Sequence, residues 1–391
     1  MKALDRIQNR KMLHLAHHQR WFTRKTLSDS VVVELISLDH QGCPLYYTTY
    51  NYGAALSTAT DQLWAGGALG LNLSGLGLSQ FVANDTYSYL GQWDEGKVRL
   101  THQEFNGGNN KVVLRDNASN LSDHATHVAG TLVARGINPL IRGMAWQAQL
   151  DSYDWHADVS EMALAASRGM LISNHSYGTL SGWVYGDLSG NYGWHWFGNP
   201  LVNSRRDYGF GYYGEQTRQW DLIAHQAPYY LIVKAAGNDR DDYGPGLGVA
   251  HWVRDPAQGW NWVQSFQTRQ SDGPYFSIGW KGNAKNILTV GAVDDVSGDM
   301  RKSQNIQMSN FSSWGPTNDG RIKPDICGNG IGVLSTSSIQ DNHYYESSGT
   351  SMASPNVAGS LLLLQEHYEN STERTVYAGG YPQGAGNPHG R

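Results

Sequence analysis

Ser351 stands where a hydroxyl nucleophile can be presented. The run Ser347-Ser348-Gly349-Thr350-Ser351-Met352-Ala353-Ser354-Pro355 sets it between a glycine-containing turn and an apolar stretch of helical character. A turn exposes the hydroxyl, and a helix N-terminus offers unpaired N–H groups and partial positive charge to an oxyanion forming beside it. A serine is a weak nucleophile until a base takes its proton. The first candidate base lies in Asp123-His124-Ala125-Thr126-His127-Val128-Ala129-Gly130-Thr131. This run opens a helix, with Asp123 as its expected cap and Val128, Leu132 and Val133 toward the core. Two histidines three residues apart face similar directions on a helix. They read as a metal pair, which needs a third ligand and has no HExxH pattern around it, or as supplying a general base at His124. A base works better with a carboxylate that fixes the imidazole tautomer and stabilises the imidazolium. Asp94 closes the strand-like run Tyr89-Leu90-Gly91-Gln92-Trp93 and precedes Glu95-Gly96, whereas its competitor Asp85 lies in an Asn-Asp-Thr turn pattern with no following glycine. Asp94 is preferred. Tyr229 to Asn238 reads as a buried strand ending in Gly-Asn, which by itself is a turn after a strand.

The elements that must position these residues alternate along the chain. Strands are expected at Tyr89 to Trp93, Gln149 to Tyr153, Met170 to Asn174, Tyr229 to Ala235 and Ile287 to Val293. Helices are expected at His124 to Arg135, Ser160 to Arg168, Thr217 to Gln226 and Ser351 to Tyr368. Such alternation predicts an α/β fold with a mainly parallel sheet covered by helices, whose sites lie at the carboxyl ends of strands. Upstream, Val31 to Leu38 reads as a strand paired with a shorter one from Pro44 to Thr49, and Leu63 to Gly77 as a Gly/Leu/Asn-rich linker. Thr179 to Tyr212 and Asp239 to Gly282 read as long loops rich in Gly, Trp and Tyr, suited to a substrate surface or a capping layer.

Together these stretches resemble the subtilisin-like serine peptidases. Gly349 to Pro355 is similar to that family's G-T-S-M-A-x-P, and His124 to Thr131 to its H-G-T-H-V-A-G-T, with Ala125 replacing the glycine. Asp94-Glu95-Gly96 resembles the D-S/T-G that ends a strand, Glu95 departing from the usual small hydroxyl residue. His102, with Glu104 and Phe105, resembles the H-P-x-L/F that follows. Ala235-Ala236-Gly237-Asn238 is similar to A-A-G-N, and Asn174 to Gly178 to N-x-S-L/Y-G. Phe311 to Pro316 and Lys323 to Ile326 resemble structural stretches of the family.

The resemblance spans about Leu71 to Gln365. It implies a three-layer subtilisin-like fold and an endopeptidase acting on polypeptides, with Ser351 as nucleophile, His124 as base and Asp94 orienting it. Asn238 is implied as oxyanion donor beside the Ser351 N–H, and His127 as structural. The order aspartate, histidine, serine is the subtilisin order. Ser176, Tyr177 and Gly178 are implied to form one wall of the P1 pocket and to pair with an extended substrate, with Ala235 and Gly237 opposite. Residues 1–70 are read as a propeptide-like segment and linker, and 71–391 as the peptidase domain. No cofactor is required, calcium enters only as a structural ion, and the metal assignment is none. Asp239 to Asp242 and Asp294 to Asp299 lack EF-hand spacing and read as solvated loops. A monomer is expected, secreted or periplasmic on the family's pattern.

Composition bounds the remaining classes. A net charge of -5 with 16% charged residues argues against nucleic acid, which calls for a basic stripe. No apolar stretch of about 18 residues predicts a membrane helix, and the basic, His-rich Met1 to Thr26 has no apolar core of a secretory signal. Two cysteines, Cys43 and Cys327, make no disulfide framework and are read equally as a pair or as free thiols. Two rival readings stand. With 14 tryptophans and 22 tyrosines, several between Trp183 and Trp220, the chain could be an aromatic-rich binding protein. Tyr377 to Arg391 is Gly/Pro-rich and lacks a second helical pattern, so the C-terminal part is expected to be truncated, and the chain could be an inactive relative.

Overall fold

A computed structural model gives the architecture. It describes residues 24–28, 31–38, 44–48, 51–78, 87–107, 111–188, 190–255, 259–264, 269–296 and 302–372. Strands β1 (Arg24–Ser28), β2 (Val31–Leu38) and β3 (Pro44–Thr48) form an antiparallel sheet in that order, so the two strands expected upstream are present and paired. Helix α1 (Asn51–Ser57) follows. Its Ala54 and Ala55, with Leu63 and Trp64, are buried in the same cluster as the apolar residues of the central sheet.

The next elements are β4 (Leu90–Asp94), β5 (Val112–Leu114), α2 (Asp123–Val133), β6 (Leu150–Asp154), α3 (Asp158–Ser167) and β7 (Ile172–His175). They are followed by β8 (Trp183–Leu188), β9 (Asn191–Trp196), α4 (Glu215–Gln226), β10 (Leu231–Ala235), β11 (Ala250–Asp255) and β12 (Gly259–Gln264). The last are β13 (Leu288–Val293), β14 (Ile326–Asn329), β15 (Val333–Thr336), β16 (Tyr344–Ser347) and α5 (Thr350–Thr372).

Seven strands form the central sheet in the order β14-β13-β10-β7-β4-β6-β5, every neighbouring pair parallel. Strands buried on both faces need apolar residues on both, and β10 shows why: Val233 enters one cluster with α2 and α5, while its neighbour Ile232 enters a second with α3 and α4. The result is three layers. After β4 the chain builds β5 and β6 on one side, then β7 and the rest on the other. The strand order therefore switches between β4 and β7, the place where an open parallel sheet leaves a crevice at its carboxyl edge.

Two expectations need correction. The stretches read as loops at 179–212 and 239–282 contain a second sheet, order β12-β11-β9-β8, with β9 and β11 parallel and the other pairs antiparallel. Trp183, Trp196 and Val253 give it a small core of its own, which is how so glycine-rich a segment holds together. The hairpin β15–β16 was also not anticipated.

The last helix closes the core. Met352, Ala353, Val357, Ala358, Leu362 and Leu363 of α5 all enter the larger cluster. Near its end, buried Glu366 accepts from the N–H groups of Ser74 (3.0 Å), Gly75 (2.7 Å) and Gly77 (2.7 Å). Asn356 Nδ2 donates to the Ala54 carbonyl (3.1 Å), so α1 is held by the same helix. Cys327 carries a free thiol. Asp85, Cys43 and the Gly/Pro-rich stretch from Tyr377 lie outside the described residues.

Candidate active site

Asp94 ends β4 at the switch point with 1% of its surface exposed. Its Oδ1 accepts from the Glu95 N–H (2.8 Å) and from His124 Nδ1 (2.7 Å). A carboxylate only accepts, so Nδ1 carries the proton and the neutral ring presents Nε2 as a base. Burial lowers the His124 pKa, but the charge and hydrogen bond of Asp94, with Glu95 and Asp123, outweigh it and leave the pKa above the ordinary histidine value.

The start of α2 fixes this ring. Ser122, not the expected Asp123, is the cap: its Oγ accepts from the Ala125 N–H (2.8 Å). That hydroxyl donates to Glu95 Oε1 (2.8 Å), so the residue that departs from the family pattern anchors the cap. Asp123 instead accepts from Ser337 Oγ (2.7 Å) and the Ser338 N–H (2.6 Å). His127 is fully buried, with Nε2 at 2.8 Å from the Val333 carbonyl and its ring edge-on to Tyr345. Burial pushes its pKa down to about 4, so it is a neutral tie between α2 and β15. The two histidines serve different partners, and among the described residues no group of three His, Cys, Asp or Glu could hold a metal ion. His102 and Glu104 are buried structural groups. His102 Nε2 lies 2.9 Å from the His343 carbonyl, and Glu104 accepts from the N–H groups of Gly136, Ile137 and Asn138.

Ser351 occupies the first turn of α5. Its Oγ donates to the main-chain carbonyl of Ser176 (2.9 Å), and Ser176 Oγ donates back to the Ser351 carbonyl (2.8 Å). The second bond follows from Pro355. An α-helical carbonyl accepts from the N–H four residues on, and a proline there has none, so the Ser351 carbonyl is left for Ser176. Asn174 Nδ2 donates to Ser176 Oγ (3.0 Å), and Ser354 Oγ to Asn174 Oδ1 (2.6 Å), which locks β7 to the start of α5.

Asn238 follows β10. Its Oδ1 accepts from the Thr350 N–H (2.9 Å) and from Thr350 Oγ1 (3.0 Å). Two donors on the oxygen leave Nδ2 free to act as a donor at the helix start. Thr350 Oγ1 in turn accepts from the Gly237 N–H (3.1 Å). Gly237 has φ 108°, and a Cβ there would meet Asp239 Oδ2 at 2.7 Å, so the position demands glycine.

A cavity of about 490 Å³ lies beside Ser351, and Ser176, Tyr177, Gly178, Ala235 and Gly237 all line it, with Asn238. The five residues expected for the P1 pocket are thus together. Sequence reasoning missed Thr350, whose place before the serine was the available signal, and the contribution of Trp183 and Tyr185 from β8. It also missed the charged lining: Lys234, Asp239, Asp242 and Lys281.

Comparisons with known proteins bear on the family and the fold. The model of the subtilase family matches residues 95–378, beginning immediately after Asp94. A stretch of 89 residues is 45% identical to the C5a peptidase of Streptococcus pyogenes serotype M3, covering 23% of this chain and 7% of that one. A stretch of 104 residues is 36% identical to the serine protease AprX of Bacillus subtilis, covering 23% of each. The chain therefore spans only a small part of these relatives' length. Its fold is similar to that of the CspB protease of Clostridium perfringens, with a TM-score of 0.54 at 15% identity over 85% of this chain and 94% of that one.

Proposed function

The chain belongs to the subtilase family of serine peptidases, and from that premise we propose that it is an endopeptidase whose chemistry is carried by Ser351, His124, Asp94 and Asn238. Ser351 Oγ attacks the peptide carbonyl carbon while His124 Nε2 takes its proton. The tetrahedral oxyanion receives hydrogen bonds from Asn238 Nδ2 and the Ser351 N–H. The imidazolium passes its proton to the leaving amine, the C–N bond breaks, and water repeats the cycle on the acyl-enzyme. No step calls on a metal or cofactor; calcium would enter only as a structural ion.

The observation that supports this reading best is the bond of 2.7 Å between His124 Nδ1 and Asp94, because it leaves Nε2 basic. The Ser351 hydroxyl donates to the Ser176 carbonyl, so the attack requires a rotation about Cα–Cβ that turns it toward the imidazole. The substrate strand is read as pairing with the backbone at Ser176 to Gly178. We take 71–391 as the peptidase unit and 1–70 as an N-terminal segment, part of which packs on that unit through Ala54, Ala55, Leu63 and Trp64. Location outside the cytoplasm follows the habit of the family; among the described residues no helix is long and apolar enough to cross a membrane. The test is covalent labelling by a serine-directed organophosphonate, mapped by mass spectrometry. Label on Ser351, lost in Ser351→Ala, is expected; a folded sample that takes up none would refute the reading.

A further inference from the structure

The charged lining of the cavity beside Ser351 has a consequence for which peptides fit. Four acidic or basic side chains line it: Lys234, Lys281, Asp239 and Asp242. Lys281 is already matched, since its Nζ pairs with Asp158 and lies over the rings of Tyr177 and Trp220 (5.2 Å each). Lys234 is buried, donates to the Ala235 carbonyl (2.6 Å), and burial pushes its pKa down to about 7. Against this one weakened cation stand two carboxylates. Asp239 accepts from Ser313 Oγ (3.1 Å). Among the described residues no hydrogen bond or ion pair satisfies the Asp242 carboxylate.

Two more carboxyl groups stand behind the wall. Asp272 accepts from the Trp183 N–H, and Asp207 from the N–H groups of Gly182 and Gly209, so both carboxylates hold the segment that enters β8. Burial, reinforced by mutual repulsion, raises the pKa of Asp239 to about 7, of Asp242 to about 6 and of Asp272 to about 9. The nearby arginines have partners of their own, and Arg206 is drawn to Asp207 and Asp272 rather than to Asp239 or Asp242. Arg240 lies over the Trp314 ring (4.0 Å) and donates to the Ser309 and Asn310 carbonyls, and Arg206 lies over Phe276 (4.6 Å) and donates to its carbonyl. Leu180, Trp183 and Tyr185 meanwhile give the cavity an apolar flank. An apolar flank beside unmatched carboxylates suits a long aliphatic stem with a cationic head.

We propose that this cavity receives an arginine or lysine side chain at the residue preceding the scissile bond, with Asp242 and Asp239 receiving its charge. The proposal deepens the peptidase reading and rests on it. Leucine would leave both carboxylates without a cation, and glutamate would add a third negative charge.

The test is a set of fluorogenic peptides differing only in P1, with Arg, Lys, Leu or Glu, assayed at pH 8 beside the organophosphonate labelling. Wild type is expected to favour Arg and Lys over Leu in kcat/KM by about tenfold or more, the scale of a hydrogen bond to a charged group. Asp242→Asn should lower the Arg/Leu ratio about tenfold. A wild type that prefers Leu or Glu, or an Arg/Leu ratio unmoved by Asp242→Asn, overturns the proposal while the peptidase reading survives. Absence of label on Ser351 overturns both.

Discussion

Thr350 offers the most discriminating perturbation of the proposed oxyanion site. Its N–H and Oγ1 both hold Asn238 Oδ1, and Oγ1 also takes the Gly237 N–H. Thr350→Val keeps the backbone bond, removes the hydroxyl and preserves the shape. Asn238 then loses one of two anchors, worth ~0.5–1.5 kcal/mol. If that loss is felt only when charge develops on the oxyanion, kcat falls by about 2- to 10-fold with little change in KM. Asn238→Ala removes the donor itself and should cost about 10²–10³ in kcat, a magnitude known from subtilisin, a member of this family. Because Thr350 is argued to act through Asn238, the two effects should not add: Thr350→Val in the Asn238→Ala background should change kcat by less than about 2-fold. Steady-state kinetics on one peptide substrate for the four proteins, with Thr350→Ser as a control that keeps the hydroxyl and the activity, decides it. An equal loss in both backgrounds would mean that Thr350 acts elsewhere, and the orienting role would be wrong.

Further outcomes follow from the geometry. The base must be neutral to accept a proton and its folded pKa is raised, so the acidic limb of kcat/KM should lie above the ordinary histidine value of ~6.5. Asp94→Asn should move that limb down and cost about 10⁴ in kcat; an unmoved limb would remove Asp94 from its role. The same raised pKa adds folding stability that is complete below the unfolded value and lost as pH rises through the folded one, so the denaturation midpoint of Asp94→Asn should approach that of wild type with rising pH. Gly130 of α2 faces Ser335 Oγ and Thr336 Oγ1 of β15 so closely that a Cβ would overlap them. Gly130→Ala should therefore cost about 1–3 kcal/mol in urea unfolding, and an unchanged midpoint would show that β15 yields without strain.

What the sequence disclosed and what it hid divide along physical lines. The central strands were legible because burial on both faces makes them apolar runs, as in Leu231 to Ala235. The site residues could be picked out as candidates because each sits inside a short local pattern. The second sheet was not, because Gly186 and Gly193, paired across β8 and β9, dilute an alternation that is visible once the hairpin is known. The Ser122 cap was missed for a simpler reason: serine and aspartate both favour that position, and only the bond to Ala125 separates them. The acidic lining of the cavity was read as solvated loop. The run 239–242 does not reveal that β8 will cover it, since Trp183 and Tyr185 lie more than fifty residues away in sequence.

The grip of Glu366 on Ser74, Gly75 and Gly77 joins residues up to 292 positions apart. Contacts so remote form late, because the whole intervening chain must be gathered first. During synthesis from the N-terminus, segment 51–78 waits for its main partner until α5 has been made. That helix brings Ser351, Thr350 and the apolar face that seals the core at one time. Asp94 and His124 are synthesised well before it, but a nascent chain lacking α5 has neither the proposed nucleophile nor the anchor for Asn238. On the proposed mechanism, a chain still lacking α5 could not cleave a peptide bond.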